Sequence, residues 1–162
     1  MNTQRYIEVR RAIPIEKVSC GYRTVTLFSE SELEDAQIGY RVGEAGEDFA
    51  GNGDGDWRAN WLVIGNEDGC GDPIFIDLSE STFPVFTAAH GQGRWDPESL
   101  ASSFTGFIDA LGEVDRVSQN RRNPVQLERH PLSQVEKEQV MKQIAKVSGN
   151  ADLEFWESWF GV

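Results

Sequence analysis

Residues 61–78 read WLVIGNEDGCGDPIFIDL, and this stretch decides the fold. Two apolar runs, ANWLVI (59–64) and IFIDL (74–78), flank GNEDGCGDP, a segment of glycine and acid. Short apolar runs bounded by Gly, Asp and Pro predict strands. A third run, FPVFTAA (83–89), follows the turn SEST (79–82). Three strands joined by such short connections form a meander, and therefore an antiparallel sheet.

Upstream, RTVTLF (23–28) is β-branched and nearly alternating, which adds a strand. Ser29 with Glu32 three positions later matches a capping box and predicts a short helix over SELEDAQI. Residues 43–56, GEAGEDFAGNGDGD, hold five Gly and five acidic residues and read as a loop. Downstream, Asp96-Pro97-Glu98 has the N-cap, N1 proline and first-turn acid of a helix start. Leu100, Phe104, Phe107, Ile108 and Leu111 continue that helix, and Gly112 ends it. Residues 115–131 read as a polar connector. Ser133 and Glu136 form a second capping box before the stripe Val140, Met141, Ile144, Val147. Gly149-Asn150 then separates this helix from ADLEFWESWF, where Phe155, Trp156, Trp159 and Phe160 recur at helical spacing. So short a link predicts an antiparallel helix pair packed on the domain. The expected fold is a single α+β domain over 1–162, with a meander core (23–112), flanking helices and a C-terminal helical extension (133–160).

The chain has 162 residues, is 39% hydrophobic and carries a formal net charge of −12. No apolar run approaches the ~20 residues of a membrane span. The first residues lack the apolar stretch of a secretory signal, so a cytoplasmic protein without membrane attachment is expected. Nucleic acid is a poor partner for so acidic a chain, because phosphate contacts need clustered Lys and Arg. Residues 1–29 hold five basic and two acidic residues, and residues 116–162 hold seven and six. Residues 30–115 hold three basic and nineteen acidic residues, a net of −16. That segment is either a solvated acidic surface or a docking face for a basic partner.

The ordinary catalytic parts are scarce. Cys20 and Cys70 belong to no C-x-x-C pair and are expected to be reduced thiols. His90 and His130 lie outside any H-E-x-x-H pattern. Asn52, Asp54 and Asp56 alternate as in a calcium loop, but the sixth and twelfth positions hold Trp57 and Val63 instead of Gly and Glu. A flexible acidic loop or a weak divalent-ion site remains. The glycines at 51, 53, 55, 91 and 93 do not form a dinucleotide or phosphate loop, so no cofactor is expected. His90 near Trp95 sits where a catalytic histidine could lie, and also where a polar loop residue would. Trp57, between Asp56 and Arg58, either caps the sheet or contacts a partner, since half-exposed Trp is enriched in binding hot spots.

Residues 61–78 resemble the core signature of the SMI1/KNR4 (SUKH) family. Trp61, Ile64, Gly65, Gly69, Gly71, Asp72, Ile76 and Asp77 match its pattern. Pro84-Val85-Phe86 is similar to the family's next strand, Ala101–Leu111 to its following helix, and LFSESELEDA to its preceding elements. The chain departs from the family at its start: Ile13-Pro14-Ile15 stands there, without the usual Leu-Pro motif and Asn-Gly pair. Residues 1–22 or the C-terminal helices would have to replace the missing part. The resemblance implies a non-enzymatic domain. Many bacterial members are taken to be immunity proteins against toxins, often nucleases, and fungal members are regulatory hubs. Its glycines suit the tight turn between strands, and Asp72 could bond that turn's amides.

The expected function is therefore neutralisation of a basic toxin domain by occlusion and charge complementarity. The expected contacts are Asp54, Asp56, Trp57, Glu67, Asp68 and Trp95. A general regulatory or scaffold module is the alternative. A small metal-dependent hydrolase is a third, and it requires a pocket where His90 meets two or more carboxylates.

Overall fold

The computed structural model describes residues 2–149 and 151–161. Six strands form one sheet: β1 (Lys17–Cys20), β2 (Arg23–Leu27), β3 (Trp61–Glu67), β4 (Pro73–Asp77), β5 (Val85–Thr87) and β6 (Glu98–Ala101). They lie in chain order and every neighbouring pair is antiparallel, so the expected meander is present and extended at both ends. The helices are α1 (Asn2–Arg11), α2 (Phe104–Val117), α3 (Pro124–Arg129), α4 (Gln134–Ser148) and α5 (Glu154–Phe160). The fold is a single-domain α+β arrangement. Asn150, half of the expected two-residue link, lies outside the described residues.

Both faces of the central strands are covered, which is why β3 and β4 read as continuous apolar runs. On one face Leu62, Ile64, Ile74 and Ile76 join Phe104, Phe107, Leu111, Val140, Ile144 and Trp156 in the main core. On the other, Trp57, Val63, Phe75 and Ala88 form a smaller core with Tyr40, Trp61, Phe86 and Trp95 packed around it. The close approach of α4 to α2 requires Gly106, where a Cβ would strike the carbonyl oxygen of Val147. Trp156 donates from Nε1 to the Leu100 carbonyl at 3.0 Å, fastening α5 to β6.

Several boundaries differ from expectation. The helix expected from Asp96 begins seven residues later, at Ser103, whose side chain accepts from the Gly106 N–H at 3.0 Å. Residues 98–101 are instead a strand, because pairing with β5 satisfies a backbone edge that a local helix start would leave open. Gly112 does not stop α2, which continues to Val117. The polar connector contains α3, capped by Asn123 with Pro124 in the first turn. The first twenty-two residues supply α1 and β1. Tyr6 of α1 is buried edge-on against Phe104 at 5.1 Å, and buried Arg10 donates to the carbonyls of Ile13, Leu27 and Phe28. The capping boxes at Ser29 and Ser133 both form, the first opening a 3-10 turn (Glu30–Glu32) and not a full helix.

A second 3-10 turn, Asp35–Gln37, holds the loop to the sheet. Buried Gln37 accepts from the Val63 N–H and donates to the Val63 carbonyl, both at 3.0 Å. Its amide thus stands in for a strand residue where the β2–β3 ladder has ended.

Candidate functional site

A cleft of about 210 Å³ lies where β3, β4, β5 and β6 turn at one end of the sheet and α5 crosses them. Its lining includes Arg23, Glu67, Asp72, Thr87, Glu98, Glu154 and Phe155. Four carboxylates therefore face one guanidinium.

A β-bulge places the deepest of these carboxylates. Leu62 and Ile64 face the main core, and simple alternation would turn Glu67 to the opposite face. Ile64 and Gly65 together oppose Ile74, however, which shifts the phase by one residue. Glu67 then pairs with Val25, a main-core residue, and its side chain is carried to the helix-covered face. Only glycine fits at 65, because a Cβ would collide with the carbonyl oxygen of Thr26.

Glu67 is 4% exposed. Its Oε2 accepts from the Cys70 N–H at 3.2 Å, while Oε1 is buried without a hydrogen-bond partner. The nearest cation is Arg23, with Nη1 3.8 Å from Oε1 and its guanidinium 6.0 Å over the Phe155 ring. The β3–β4 turn is closed by the Glu67 and Gly71 amides, which donate to Asp72 and Glu67 carbonyls, with Gly71 at φ +76°. Asp72 does not bond that turn's amides, contrary to expectation. It accepts from the His90 N–H at 3.0 Å and stands 2.7 Å from His90 Nδ1, tying the β5–β6 loop to the turn. The role expected of Asp72 falls to Glu67. At the mouth, the carboxyl of exposed Glu98 is raised above its ordinary range by desolvation, and further by Glu154, Asp152 and Asp72.

The expected contact residues divide into two groups. Glu67 and Asp68 belong to the cleft's turn, with exposed Asp68 4.0 Å from Lys17. Asp54, Asp56 and Trp95 lie together elsewhere. Asp54, with 88% of its side chain exposed, pairs with Arg94 at 3.3 Å, and Arg94 also pairs with Asp96. Asp56 accepts from the Gly53 N–H at 2.7 Å, closing its own loop. Trp95 is half-buried, its ring 5.4 Å from Tyr40. Trp57 is not half-exposed: at 1% it is sealed between Tyr40, Trp61, Phe75 and Trp95, where it caps the sheet, the first of its two expected roles. Glu67 likewise sits beneath the surface. Asp77, of the signature residues, bonds Asn60 and Ser79 and so fixes the β4–β5 turn, while Trp61 packs on Phe75.

Sequence reading missed Arg23, Glu98 and Glu154. Glu98 carries the signals of a helix start, and no spacing links positions 23, 67, 98 and 154. His90 meets a single carboxylate, that of Asp72, and does not line the cleft. Both cysteines are free; Cys20 is buried, which raises its thiol, and Cys70 is exposed. Among the described residues, no group of three or more His, Cys, Asp or Glu is placed to hold a metal ion. No helix among them is long and apolar enough to cross a membrane. Compared with known proteins, the chain matches no family model, no curated protein and no solved structure.

Proposed function

We propose that this chain is a non-enzymatic protein-binding domain that captures a basic protein in the cytoplasm. Its partner, on the likeness of residues 61–78 to SMI1/KNR4 immunity proteins, is a toxin domain, with nucleases the leading class. The observation that supports this reading is the acid excess of the cleft: Glu67, Asp72, Glu98 and Glu154 against Arg23 alone. Carboxylates held together by a fold repel one another, and a cationic partner relieves that repulsion on binding. Such a surface steers a basic partner and selects against acidic ones. Lysines and arginines that a nuclease uses for phosphate would pair with these carboxylates, leaving its site blocked. His90 bound to one carboxylate lacks the convergence that the hydrolase alternative requires.

Co-expression with the products of neighbouring genes tests the proposal. A basic product should co-purify with this chain and lose its toxicity in its presence. If every basic neighbour elutes separately and stays toxic, the reading fails.

A further inference from the structure

The geometry points to Glu67 as the residue that selects one arginine of the partner, whose guanidinium enters the cleft and hydrogen-bonds Glu67 Oε1. This rests on the protein-binding reading above and names the group recognised.

Three observations converge on it. Glu67 is 4% exposed, yet Oε1 has no donor, although buried carboxylate oxygens are ordinarily paired. The neighbouring Arg23 does not supply that donor, since its Nη1 stays 3.8 Å away. The remaining acceptors approach from separate elements: Asp72 from the β3–β4 turn, Glu98 from β6 and Glu154 from α5. A set of acceptors spread around one opening suits a planar fork of five donors better than a compact ammonium. Guanidinium is also the more weakly hydrated cation, so it gives up less water on entering beside a buried oxygen. The opening of about 210 Å³ admits such a side chain once Arg23, stacked on Phe155 but not bonded to Glu67, turns aside.

The bulge at Gly65 is what brings the oxygen to this place, so the arrangement is built into the strand and not left to a mobile loop.

The test titrates the full chain with N-acetyl-arginine methylamide and, separately, with the lysine counterpart, following the backbone amide resonances of Cys70, Asp72 and Thr87. The arginine probe should shift them saturably, and the lysine probe should bind at least about fivefold more weakly. Glu67→Gln should weaken the arginine probe at least about tenfold. Arg23→Gln should bind it no less tightly than the wild type. Should Glu67→Gln fail to fold, Glu67→Asp, which withdraws the carboxylate by one methylene, should show the same loss. Absence of saturable shifts, equal affinity for both probes, or unchanged binding by a folded Glu67 variant overturns the inference. A basic partner that binds Glu67→Gln as tightly as the wild type would overturn it too, while leaving the protein-binding reading standing. Absence of any basic partner instead removes the protein-binding reading, and with it the assignment of the arginine to a partner.

Discussion

Arg23 and Glu67 lie on the same face of adjacent strands, yet 3.8 Å separates Nη1 from Oε1 and no hydrogen bond joins them. The register explains their proximity: Glu67 pairs with Val25, and Arg23 is two residues from Val25 along β2. The pair is thus brought together by the sheet and left open by the Phe155 ring, over which the guanidinium lies. A buried carboxylate oxygen without a donor costs stability, on the order of 1–3 kcal/mol. The fold carries that cost at the floor of an acid-lined cleft.

Gly65→Ala should destabilise the protein by about 1–3 kcal/mol, the usual range for overpacking. The atom struck is a backbone oxygen of β2, which cannot swing away as a side chain would. Denaturant unfolding measures the loss. A stability equal to the wild type would mean that the bulge relaxes freely and does not aim Glu67.

Gln37→Leu should cost about 2–4 kcal/mol, because it strands both the N–H and the carbonyl of buried Val63. Thermal and urea unfolding read this directly. Gln37→Glu should also be destabilising, since a carboxylate cannot donate to the Val63 carbonyl.

Glu98→Gln should raise Tm at pH 7, by an amount corresponding to less than about 1 kcal/mol because the group is exposed. The sign follows from its raised pKa. A carboxyl that binds protons more tightly when folded favours the folded state at low pH. That advantage disappears as pH rises through the folded value. Around Glu98 stand Asp72, Asp152 and Glu154, with Arg23 the cation in the cleft. The gain from Glu98→Gln should therefore shrink and vanish as pH falls below the ordinary carboxylate range. A gain independent of pH would point to a cause other than charge.

Trp57→Phe should lower stability without slowing association with a partner, since Trp57 is sealed under Tyr40 and Trp95. Unfolding and association kinetics on the same sample separate the two effects. A slowed association at unchanged stability would return Trp57 to the surface role its flanking charges suggest.

The central fold was legible because residues 61–89 alternate apolar runs with short glycine and acid turns, and those local signals agree with the tertiary pairing. At Asp96-Pro97-Glu98 the two disagree. The capping signals there are real, but pairing of β6 with β5 outweighs them, and Ser103 caps α2 instead. Trp57, whose charged neighbours leave it between capping the sheet and meeting a partner, takes the first role because the loop that carries it folds back over Phe75. Much of the site's acidic character was visible in the net charge of residues 30–115, and Glu67 stood among the expected contacts, but Arg23, Glu98 and Glu154 did not. Arg23, Glu67, Glu98 and Glu154 meet only through strand order, one bulge and the crossing of α5.

The most direct test of the account is the association rate with a co-purified basic partner, measured across ionic strength for the wild type and for Glu98→Lys/Glu154→Lys. Both substituted residues are exposed, so the variant should fold normally. The wild-type rate should fall steeply with added salt, and the variant should associate at least about tenfold more slowly at low salt. A rate indifferent to both salt and charge reversal would contradict capture by charge complementarity.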